Sequence, residues 1–288
     1  MDGFIVINKE KGLTSFDVIR KVRKILGMKK VGHSGTLDPM ATGILILGVG
    51  RATRLLSEIE SKEKAYKGEM LLGFRTDTLD TTGKIIEKKE IKNYESYHKN
   101  LKEILSEFEG EILQTPPMYS AIKLNGKKLY ELARKDIVVE RKKREIFIEY
   151  VKILNIENEK ITFLTKVSKG TYIRSLVNDI GEKLGCFATM SALDRVKVGK
   201  IDLTSAYNLD QIKEKNDNKC FDFLITMEKY FEYLNKIVLE NDREAKTFEN
   251  GHTLIKNQND DLYRIYYGEK FMGLGKVLKN RLKGYRCF

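Results

Sequence analysis

The sequence of 288 residues is poor in the residue types that build disulfides, metal centres and stiff linkers. It holds three cysteines, three histidines, three prolines and no tryptophan. The cysteines and histidines are scattered and no CxxC pair occurs, so neither a disulfide framework nor a structural metal site is expected. So few prolines argue against a proline-rich linker. Any chemistry should therefore run without a thiol pair or a histidine-rich metal cage.

Long apolar runs are also absent. No stretch approaches the roughly 20 apolar residues that span a bilayer. The opening segment, MDGFIVINKEKG, lacks the order of charged, apolar and small residues that marks a signal peptide. We therefore expect a soluble cytoplasmic protein. A hydrophobic content of 41% suffices for a packed core, and the length fits one large domain with one small one.

Positive charge is plentiful, with a formal net charge of +12. A basic excess favours a polyanionic partner, because lysines and arginines that neutralise phosphates release condensed counterions. A genomic bias toward lysine, asparagine and isoleucine is the alternative explanation. Clustering favours nucleic acid, because residues 20–30 hold six basic residues and no acidic one, and residues 141–144 read RKKR.

The apolar pattern predicts alternating element types. FIVIN (4–8) and residues 44–49 fit buried strands, and Thr14 or Ser15 can cap a helix that runs to about Leu26. Further strands are predicted at 65–73 and 160–170, with helices at 94–108 and after Gly170. This order without a regular βαβ repeat predicts an α+β fold around a largely antiparallel central sheet flanked by helices.

The residue pattern changes near the C-terminal end of the sequence. KTFENGHTLI and DLYRIYYGEKFMGLGKVLKN fit short aromatic strands broken by Gly and Asn-Asp turns, which indicates a small β domain. We set the boundary near residue 230, giving domains of 1–230 and 231–288.

GHSGTLDPMATG (32–43) places Asp38 directly before a proline, between a basic run and an apolar strand. Asp38 could be a helix N-cap followed by an N1 proline, part of a phosphate cradle, or a nucleophile. The glycines lack the GxxxxGK[ST] spacing of a phosphate loop, which weakens the second interpretation.

Two other residues are candidates. Tyr66 in KAYKG could pack in the core, or offer a stacking face beside Lys64 and Lys67. Arg174 falls in the first turn of a predicted helix, where the helix dipole disfavours a cation. A solvated arginine is one explanation. Another is an anionic neighbour, and Asp38 is the carboxylate we consider.

Together these segments resemble the tRNA pseudouridine-55 synthase (TruB) family over nearly all of the first 200 residues. The segments that carry the resemblance are GHSGTLDPMATG, KAYKG, GFRTDTLDTTG, QTPPMYSAIKLNGKKLYELAR, KGTYIRSL and SALDRVKVG. The tail is more weakly similar to a reduced PUA-type RNA-binding domain. Near the N-terminus the family commonly reads K-P-x-G, whereas this chain has KEKG with Glu10 in place of proline, so we expect a looser turn there.

The resemblance implies a pseudouridine-synthase fold and a defined reaction. One uridine in the T-arm of tRNA, at position 55, is flipped out and isomerised to pseudouridine without a cofactor or metal. Asp38 is implied as the nucleophile and Arg174 as its salt-bridge partner. Tyr66 is implied to stack on the target base, with its hydroxyl as a base or relay.

The resemblance assigns lesser roles to other positions. His33 should lie near the flipped-out nucleotides and bind them, and Lys9 should support the active-site loop or a phosphate. Leu193 should line the uracil pocket, although a core leucine is nearly as good an interpretation, and Tyr172 should pack in the same site. An RNA-gripping insertion is expected at about 114–145, mobile without RNA, in a protein that acts as a monomer.

Three other readings stay open at this stage. A non-catalytic RNA-binding or RNA-folding protein would use the same basic surface. A glycoside hydrolase would use Asp38 with a second carboxylate such as Asp77 or Asp80. A guide-RNA-dependent pseudouridine synthase would usually carry a larger C-terminal RNA domain than this short tail.

Overall fold

The computed structural model describes residues 1–124 and 126–285. The helices are α1 (Ser15–Leu26), α2 (Leu56–Glu60), α3 (Tyr94–Ser106), α4 (Leu129–Ala133), α5 (Ile173–Lys183), α6 (Leu209–Asp217), α7 (Met227–Tyr230) and α8 (Asp242–Glu249), with short 3₁₀ helices at Gly50–Leu55 and Leu203–Ser205. None of the helices described is long and apolar enough to cross a membrane.

The strands alternate with these helices along the chain. They are β1 (Gly3–Lys9), β2 (Val31–His33), β3 (Thr42–Val49), β4 (Lys64–Leu72), β5 (Phe74–Thr76), β6 (Ile85–Lys88), β7 (Gly110–Gln114), β8 (Lys123–Leu124), β9 (Lys127–Lys128), β10 (Arg144–Glu157), β11 (Lys160–Val167), β12 (Ala188–Val198), β13 (Ile201–Asp202), β14 (Leu224–Ile225), β15 (Lys236–Leu239), β16 (Leu254–Ile255), β17 (Leu262–Tyr267), β18 (Lys270–Leu278) and β19 (Arg281–Gly284).

A ten-stranded sheet forms the centre of the described structure. Its order is β14-β1-β3-β12-β4-β11-β10-β7, with β2 paired to β3 and β13 paired to β12. The pairing of β12 with β3 is parallel, and the other pairings in this sheet are antiparallel. The prediction of an α+β fold around a mainly antiparallel sheet is confirmed.

Both faces of the sheet are buried at β1 and β3. Ile5 and Ile7 pack into the core cluster that includes α1 and α5, whereas Phe4 and Val6 pack on the opposite face. Because both faces are covered, FIVIN reads as a continuous apolar run rather than an alternating one. The second face also contacts Leu274 of β18, so the C-terminal strands pack against the central sheet.

Helix α1 begins and ends where its sequence predicts. The Thr14 hydroxyl accepts a hydrogen bond from the Asp17 N–H, and the Asp17 carboxylate accepts one from the Thr14 N–H, which is a capping box. Gly27 closes the helix with φ 63°, a conformation that favours glycine. The helix buries Val18 and Val22 and leaves Arg20, Lys21 and Lys24 exposed.

The C-terminal part differs from its prediction in one segment. A five-stranded sheet, β15-β17-β18-β19-β16, lies within residues 236–284, as a small β-rich unit should. KTFE, however, belongs to α8 and is not a strand, so that prediction was wrong. The Asn241 side chain caps this helix at the Glu244 N–H, and Ala245 and Phe248 are buried one helical turn apart.

Candidate active site

A cleft of about 610 Å³ opens where the loop between β2 and β3 meets β4, β12 and the start of α5. Five residues singled out from the sequence line it: Asp38, Tyr66, Tyr172, Arg174 and Leu193. They come from segments up to 155 positions apart in the chain. The fold therefore brings together a carboxylate, a guanidinium, two phenols and an apolar side chain around one space large enough for a small organic group.

Asp38 projects from the loop into this cleft. Its carboxylate Oδ2 lies 2.9 Å from Nε of Arg174, and its side chain is 38% exposed. No helix starts at Asp38, because the Ala41 N–H closes a single turn on the Asp38 carbonyl and β3 begins at Thr42. Asp38 therefore begins a single turn, as its place before proline allowed, but caps no helix in the described structure. The carboxylate is oriented by one cation and remains open on the side that faces the cleft.

Arg174 is almost fully buried, and its whole guanidinium is engaged. Nε contacts Asp38, Nη1 donates to the Thr78 carbonyl at 2.8 Å, and Nη2 donates to the Tyr119 carbonyl at 2.8 Å. Because Arg174 is the second residue of α5, its positive charge sits near the positive end of the helix dipole. The carboxylates around it offset that unfavourable position, which is the anionic neighbourhood that the sequence indicated.

Asp80 is the second of those carboxylates. It is 4% exposed, and Oδ2 lies 3.7 Å from Nη1 of Arg174. Oδ1 accepts hydrogen bonds from the Thr78 hydroxyl at 2.9 Å and from the Thr82 N–H at 3.0 Å. Asp80 thus contacts Arg174 from the buried side and does not line the cleft.

The loop that carries Asp38 is held at its backbone from several sides. The Ser15 hydroxyl, at the start of α1, accepts from the Leu37 N–H at 2.8 Å and donates to the Leu37 carbonyl at 3.2 Å. Arg195, which is 2% exposed, donates to the carbonyls of Gly35 and Thr36 at 3.3 and 3.2 Å. Such contacts fix the loop before any substrate binds.

Lys9 supports the same loop from β1. It is 1% exposed, and Nζ donates to the carbonyls of Glu10 at 2.9 Å, Leu13 at 2.8 Å and Pro39 at 3.4 Å. Burial lowers the pKa of Lys9 to about 8, although the nearby Asp38 charge opposes that shift. Of the two roles expected for Lys9, these contacts are those of loop support.

Tyr66 occupies the middle of the central sheet. It lies on β4 opposite Thr165 of β11 and Arg195 of β12, and it is 7% exposed. Gly68, two residues along the strand, leaves room for the ring of Phe163. Tyr66 is thus a fixed wall of the cleft, since strand pairing on both sides holds its backbone in position.

Tyr172 and Leu193 complete the lining. Tyr172 precedes α5 and is fixed by Gln114, whose amide accepts from the Tyr172 N–H at 2.8 Å and donates to its carbonyl at 3.1 Å. Burial raises the pKa of the Tyr172 hydroxyl, so it stays protonated at neutral pH. Leu193 is 8% exposed on β12, where it lines the cleft and also belongs to the main core.

His33 lies at the end of β2 and does not line the cleft. Its Nδ1 accepts a hydrogen bond from the Gly35 N–H at 3.2 Å, and Gly35 does line the cleft. Burial lowers the pKa of His33, which favours a neutral ring at pH 7. His33 therefore lies beside the cleft lining, next to Gly35, and not at the Asp38–Arg174 pair.

Two residues of the site were missed as functional positions from the sequence. Asp80 was considered only as a hydrolase acid, and Arg195 was given no role, although both fall in segments that carried the family resemblance. The signal for Asp80 was an aspartate among four threonines, which can donate hydroxyl hydrogen bonds to a buried carboxylate. Arg195 stands beside Asp194 in a mixed polar and apolar segment, so its local sequence carried no such signal.

The sheet, the cleft and the arginine-held aspartate define the class of pseudouridine synthases. The family model described as TruB family pseudouridylate synthase, N-terminal domain, matches residues 23–173, and that of the tRNA pseudouridylate synthase B C-terminal domain matches residues 174–243. The chain belongs to the TruB family of pseudouridylate synthases.

Individual proteins are similar over the full length. A protein from Fusobacterium nucleatum subsp. nucleatum named tRNA pseudouridine synthase B is 48% identical, with 100% of both chains covered. One of the same name from Clostridium kluyveri is 44% identical, again with 100% of both covered. Among solved structures, a Cbf5-Nop10-Gar1 complex contains a chain 26% identical with a TM-score of 0.69, matching 99% of this chain and 83% of that one.

Proposed function

We propose that this protein isomerises uridine 55 in the T-arm of tRNA to pseudouridine, as a monomer and without a cofactor. Membership of the TruB family and the relatives named tRNA pseudouridine synthase B support the reaction and the tRNA substrate. The observation that carries the proposal is the 2.9 Å contact between Arg174 Nε and Asp38 Oδ2 inside an open cleft.

The first requirement is access to the base. A stacked uridine must be flipped out of its loop, at a cost of roughly a few kcal/mol. Contacts to the RNA backbone can offset that cost, and Arg144 and Lys169 stand on the cleft lining to make them. Lys21 and Lys24 of α1 are exposed and add positive charge to the protein surface.

The second requirement is to break and remake one bond. The N1–C1′ bond breaks, the uracil rotates, C5 bonds to C1′, the C5 proton leaves and N1 gains a proton, so atoms balance within one nucleoside. Asp38 can attack C1′, assist departure of the uracil through a glycal, or add to C6 of the ring. Each route uses a carboxylate held close to the sugar-base junction, and the position of Asp38 on the cleft lining, fixed by Arg174, supports that role.

The third requirement is a surface for the free base and a path for its proton. Tyr66 offers a ring for stacking and a hydroxyl that can accept or relay the C5 proton. Leu193 offers an apolar surface in the same cleft. Both are rigid, since they lie on the paired strands β4 and β12.

The insertion at about 114–145 would grip the RNA. Within its described residues it contains β8, β9 and α4, with RKKR at its end. The Tyr119 carbonyl, inside this segment, accepts a hydrogen bond from Arg174. A segment that grips RNA would therefore also touch the residue that orients Asp38.

The glycoside hydrolase reading has little support. A retaining or inverting hydrolase needs a second carboxylate that faces the same cleft. Asp80 points its oxygens at Arg174, Thr78 and Thr82, and Asp77 accepts from the Lys84 N–H at 2.8 Å. A pure RNA binder, in turn, gains nothing from burying Arg174 behind an aspartate.

The decisive experiment measures tritium release from a tRNA transcript labelled at C5 of uridine. We expect wild type to release one tritium per tRNA, and Asp38→Asn to release none while still binding the transcript. Asp210→Asn, an exposed aspartate at the start of α6, is the matched control and should keep wild-type activity.

The target position is tested separately. A transcript with cytidine at position 55 should release no tritium with wild-type protein. Release from that transcript would contradict the assignment of the site while leaving the reaction intact. Wild-type protein that binds tRNA and releases nothing from either transcript would favour the RNA-binding protein instead.

A further inference from the structure

A second, smaller cavity of about 170 Å³ lies beside the cleft and has no role in the chemistry above. Lys62 and Glu63 enter it from the turn that follows α2, and Gly199 and Lys200 from the turn between β12 and β13. Tyr233, from the segment after α7, closes it. The cavity thus joins the catalytic sheet to the chain that leads into the C-terminal sheet.

Two ammonium groups share one aromatic ring in this cavity. Nζ of Lys62 lies 5.4 Å from the centroid of the Tyr233 ring, and Nζ of Lys200 lies 5.2 Å from it. Within residues 1–124 and 126–285, neither ammonium has a carboxylate within 4.0 Å, although Glu63 lines the same cavity. Cation–π contact places both lysines at the Tyr233 ring without neutralising them.

The backbone around the two lysines is fixed. The Gly199 N–H donates to the Glu63 carbonyl at 2.9 Å, which ties the two turns together. Gly199 has φ +54°, and a Cβ there would lie 3.3 Å from Cβ of Lys62, so glycine permits this approach. The buried Lys64 adds a further tie, since its Nζ donates to the Lys62 carbonyl at 2.7 Å.

The same turn borders the catalytic cleft. Glu60, Ser61 and Lys64 line the cleft, whereas Lys62 and Glu63 line the smaller cavity, so the two spaces lie on opposite sides of residues 60–64. One route for an RNA strand that inserts a nucleotide into the cleft runs across this turn. The two uncompensated ammoniums lie on that path.

We propose that Lys62, Lys200 and Tyr233 bind a backbone phosphate of the tRNA strand that enters the cleft, close to the target uridine. This rests on the proposed function, because that function supplies the RNA strand. A phosphate can accept from both ammoniums and from the Tyr233 hydroxyl at once. The cavity is smaller than the roughly 300–1,000 Å³ of small-molecule sites, which fits a phosphate group better than a free nucleotide.

The test compares two double variants of the full chain. Lys62→Ala with Lys200→Ala removes the proposed contact, and Lys99→Ala with Lys102→Ala removes the same charge from α3, which lines neither cavity. For tRNA binding across a salt series, we expect the first variant to raise Kd about tenfold and to reduce the log–log salt slope by about 1 to 2. Its single-turnover rate at saturating tRNA should stay within about twofold of wild type, because no catalytic group is touched.

Two substitutions of Tyr233 distinguish the contribution of its ring to tRNA binding from that of its hydroxyl. Tyr233→Ala should weaken binding about as much as the lysine double variant, whereas Tyr233→Phe keeps the ring and should lose less. An isolated T-arm hairpin should show the same loss as full-length tRNA, because the site adjoins the cleft. A loss confined to full-length tRNA would overturn the proposal.

Equal Kd and salt slope in the two double variants would also overturn it, as would a fall in saturated rate without a change in Kd. Thermal unfolding of each variant guards against misfolding. If wild-type protein binds tRNA but makes no pseudouridine, the proposed function fails while the binding comparison still reports on this site.

Discussion

Asp38 and Asp80 approach the same guanidinium from two loops, and their surroundings are opposite. The Asp38 side chain is 38% exposed and contacts one side-chain partner, Arg174 Nε. The Asp80 side chain is 6% exposed and also accepts from Thr78 and Thr82. Asp38 keeps an open face toward the cleft, whereas Asp80 has none.

Under the proposed function, this is the difference expected between a reacting group and a positioning group. A carboxylate that attacks or assists at carbon needs free oxygen lone pairs, which hydrogen bonds would occupy. A carboxylate that only fixes a cation gains from saturation, because buried charges are tolerated when every lone pair is matched. Arg174 contacts both carboxylates, so the fixed position of the loop that carries Asp80 also restrains the loop that carries Asp38.

The largest loss of turnover should come from changing a residue that faces the cleft. Tyr66→Phe removes the hydroxyl from the cleft and keeps the ring, so we expect tRNA binding within about twofold of wild type. Turnover should fall by roughly 10²- to 10⁴-fold, the range for loss of a general acid or base. Single-turnover tritium release measures it, and stability should change by less than about 1 kcal/mol because no strand contact is lost.

Normal turnover by Tyr66→Phe would remove the hydroxyl from the mechanism. It would also weaken the contrast between Asp38 and Asp80, since Asp38 would then be the only reacting group proposed on the cleft-facing side of Arg174. Tyr150→Phe, a tyrosine on β10 that does not line the cleft, serves as the matched control.

Arg174→Lys disrupts the guanidinium contacts that connect Asp38 with Asp80. A lysine keeps the charge but cannot donate to Asp38, Thr78 and Tyr119 in one plane. We expect kcat to fall by roughly 10²- to 10³-fold, because a loop misplaced by an ångström costs that much. Activity within a few-fold of wild type would mean that charge alone positions Asp38.

Asp80→Asn tests the closed side. Asparagine keeps the shape and still accepts from the threonines, but it leaves the buried Arg174 with one carboxylate fewer. We expect kcat to fall by about 10- to 100-fold and the free energy of unfolding to fall by about 1–3 kcal/mol. Urea unfolding and single-turnover rates measure the two effects.

Asp77→Asn is the control for that experiment. Asp77 lies in the same loop but is exposed, and its oxygen caps the Lys84 N–H. It should keep activity within about twofold. If Asp77→Asn and Asp80→Asn were equally impaired, the loop as a whole would matter and the Asp80 carboxylate would have no separate role.

Local patterns predicted much of the fold and part of the site. The capping residue Thr14 and the apolar spacing after it defined α1, and the runs at β1 and β3 defined two central strands. Asp38, Tyr66 and Arg174 could be named as candidates from their local context, although each also had an ordinary structural explanation there. Family resemblance then tied them together, and the structure brings them into one cleft.

What escaped prediction depends on distant contacts. Arg195 holds the Gly35 carbonyl from 160 positions away, and Asp80 meets Arg174 across 94 positions. The threonines around Asp80 indicate a buried carboxylate but not its partner, and Arg195 has no local signature for its role. In the tail, aromatic residues suggested strands throughout, whereas the Asn241 cap made Asp242–Glu249 a helix.

Lys9 tests how strongly the loop that carries Asp38 depends on its side-chain hydrogen bonds. Lys9→Met keeps most of the volume but removes three donations to carbonyls, including that to Pro39 beside Asp38. We expect the free energy of unfolding at pH 7 to fall by about 2 kcal/mol, since buried carbonyls lose their partner. Activity should fall only several-fold, because Ser15 and Arg195 still hold the loop.

The effect of Lys9→Met should also depend on pH. The pKa of Lys9 is lowered to about 8 in the folded protein, below its ordinary value of 10.5, so the unfolded chain binds more protons between these values. Lys9 should therefore contribute about 2 kcal/mol to a rise in stability from pH 7 to 9.5, and the pH profile of Lys9→Met should lack that contribution. Lys64, whose pKa is also lowered to about 8, contributes equally to both proteins and cancels. Lys11→Met, at an exposed lysine in the same turn, should follow wild type, and parallel pH profiles for all three proteins would show that Lys9 is not held as a buried ammonium.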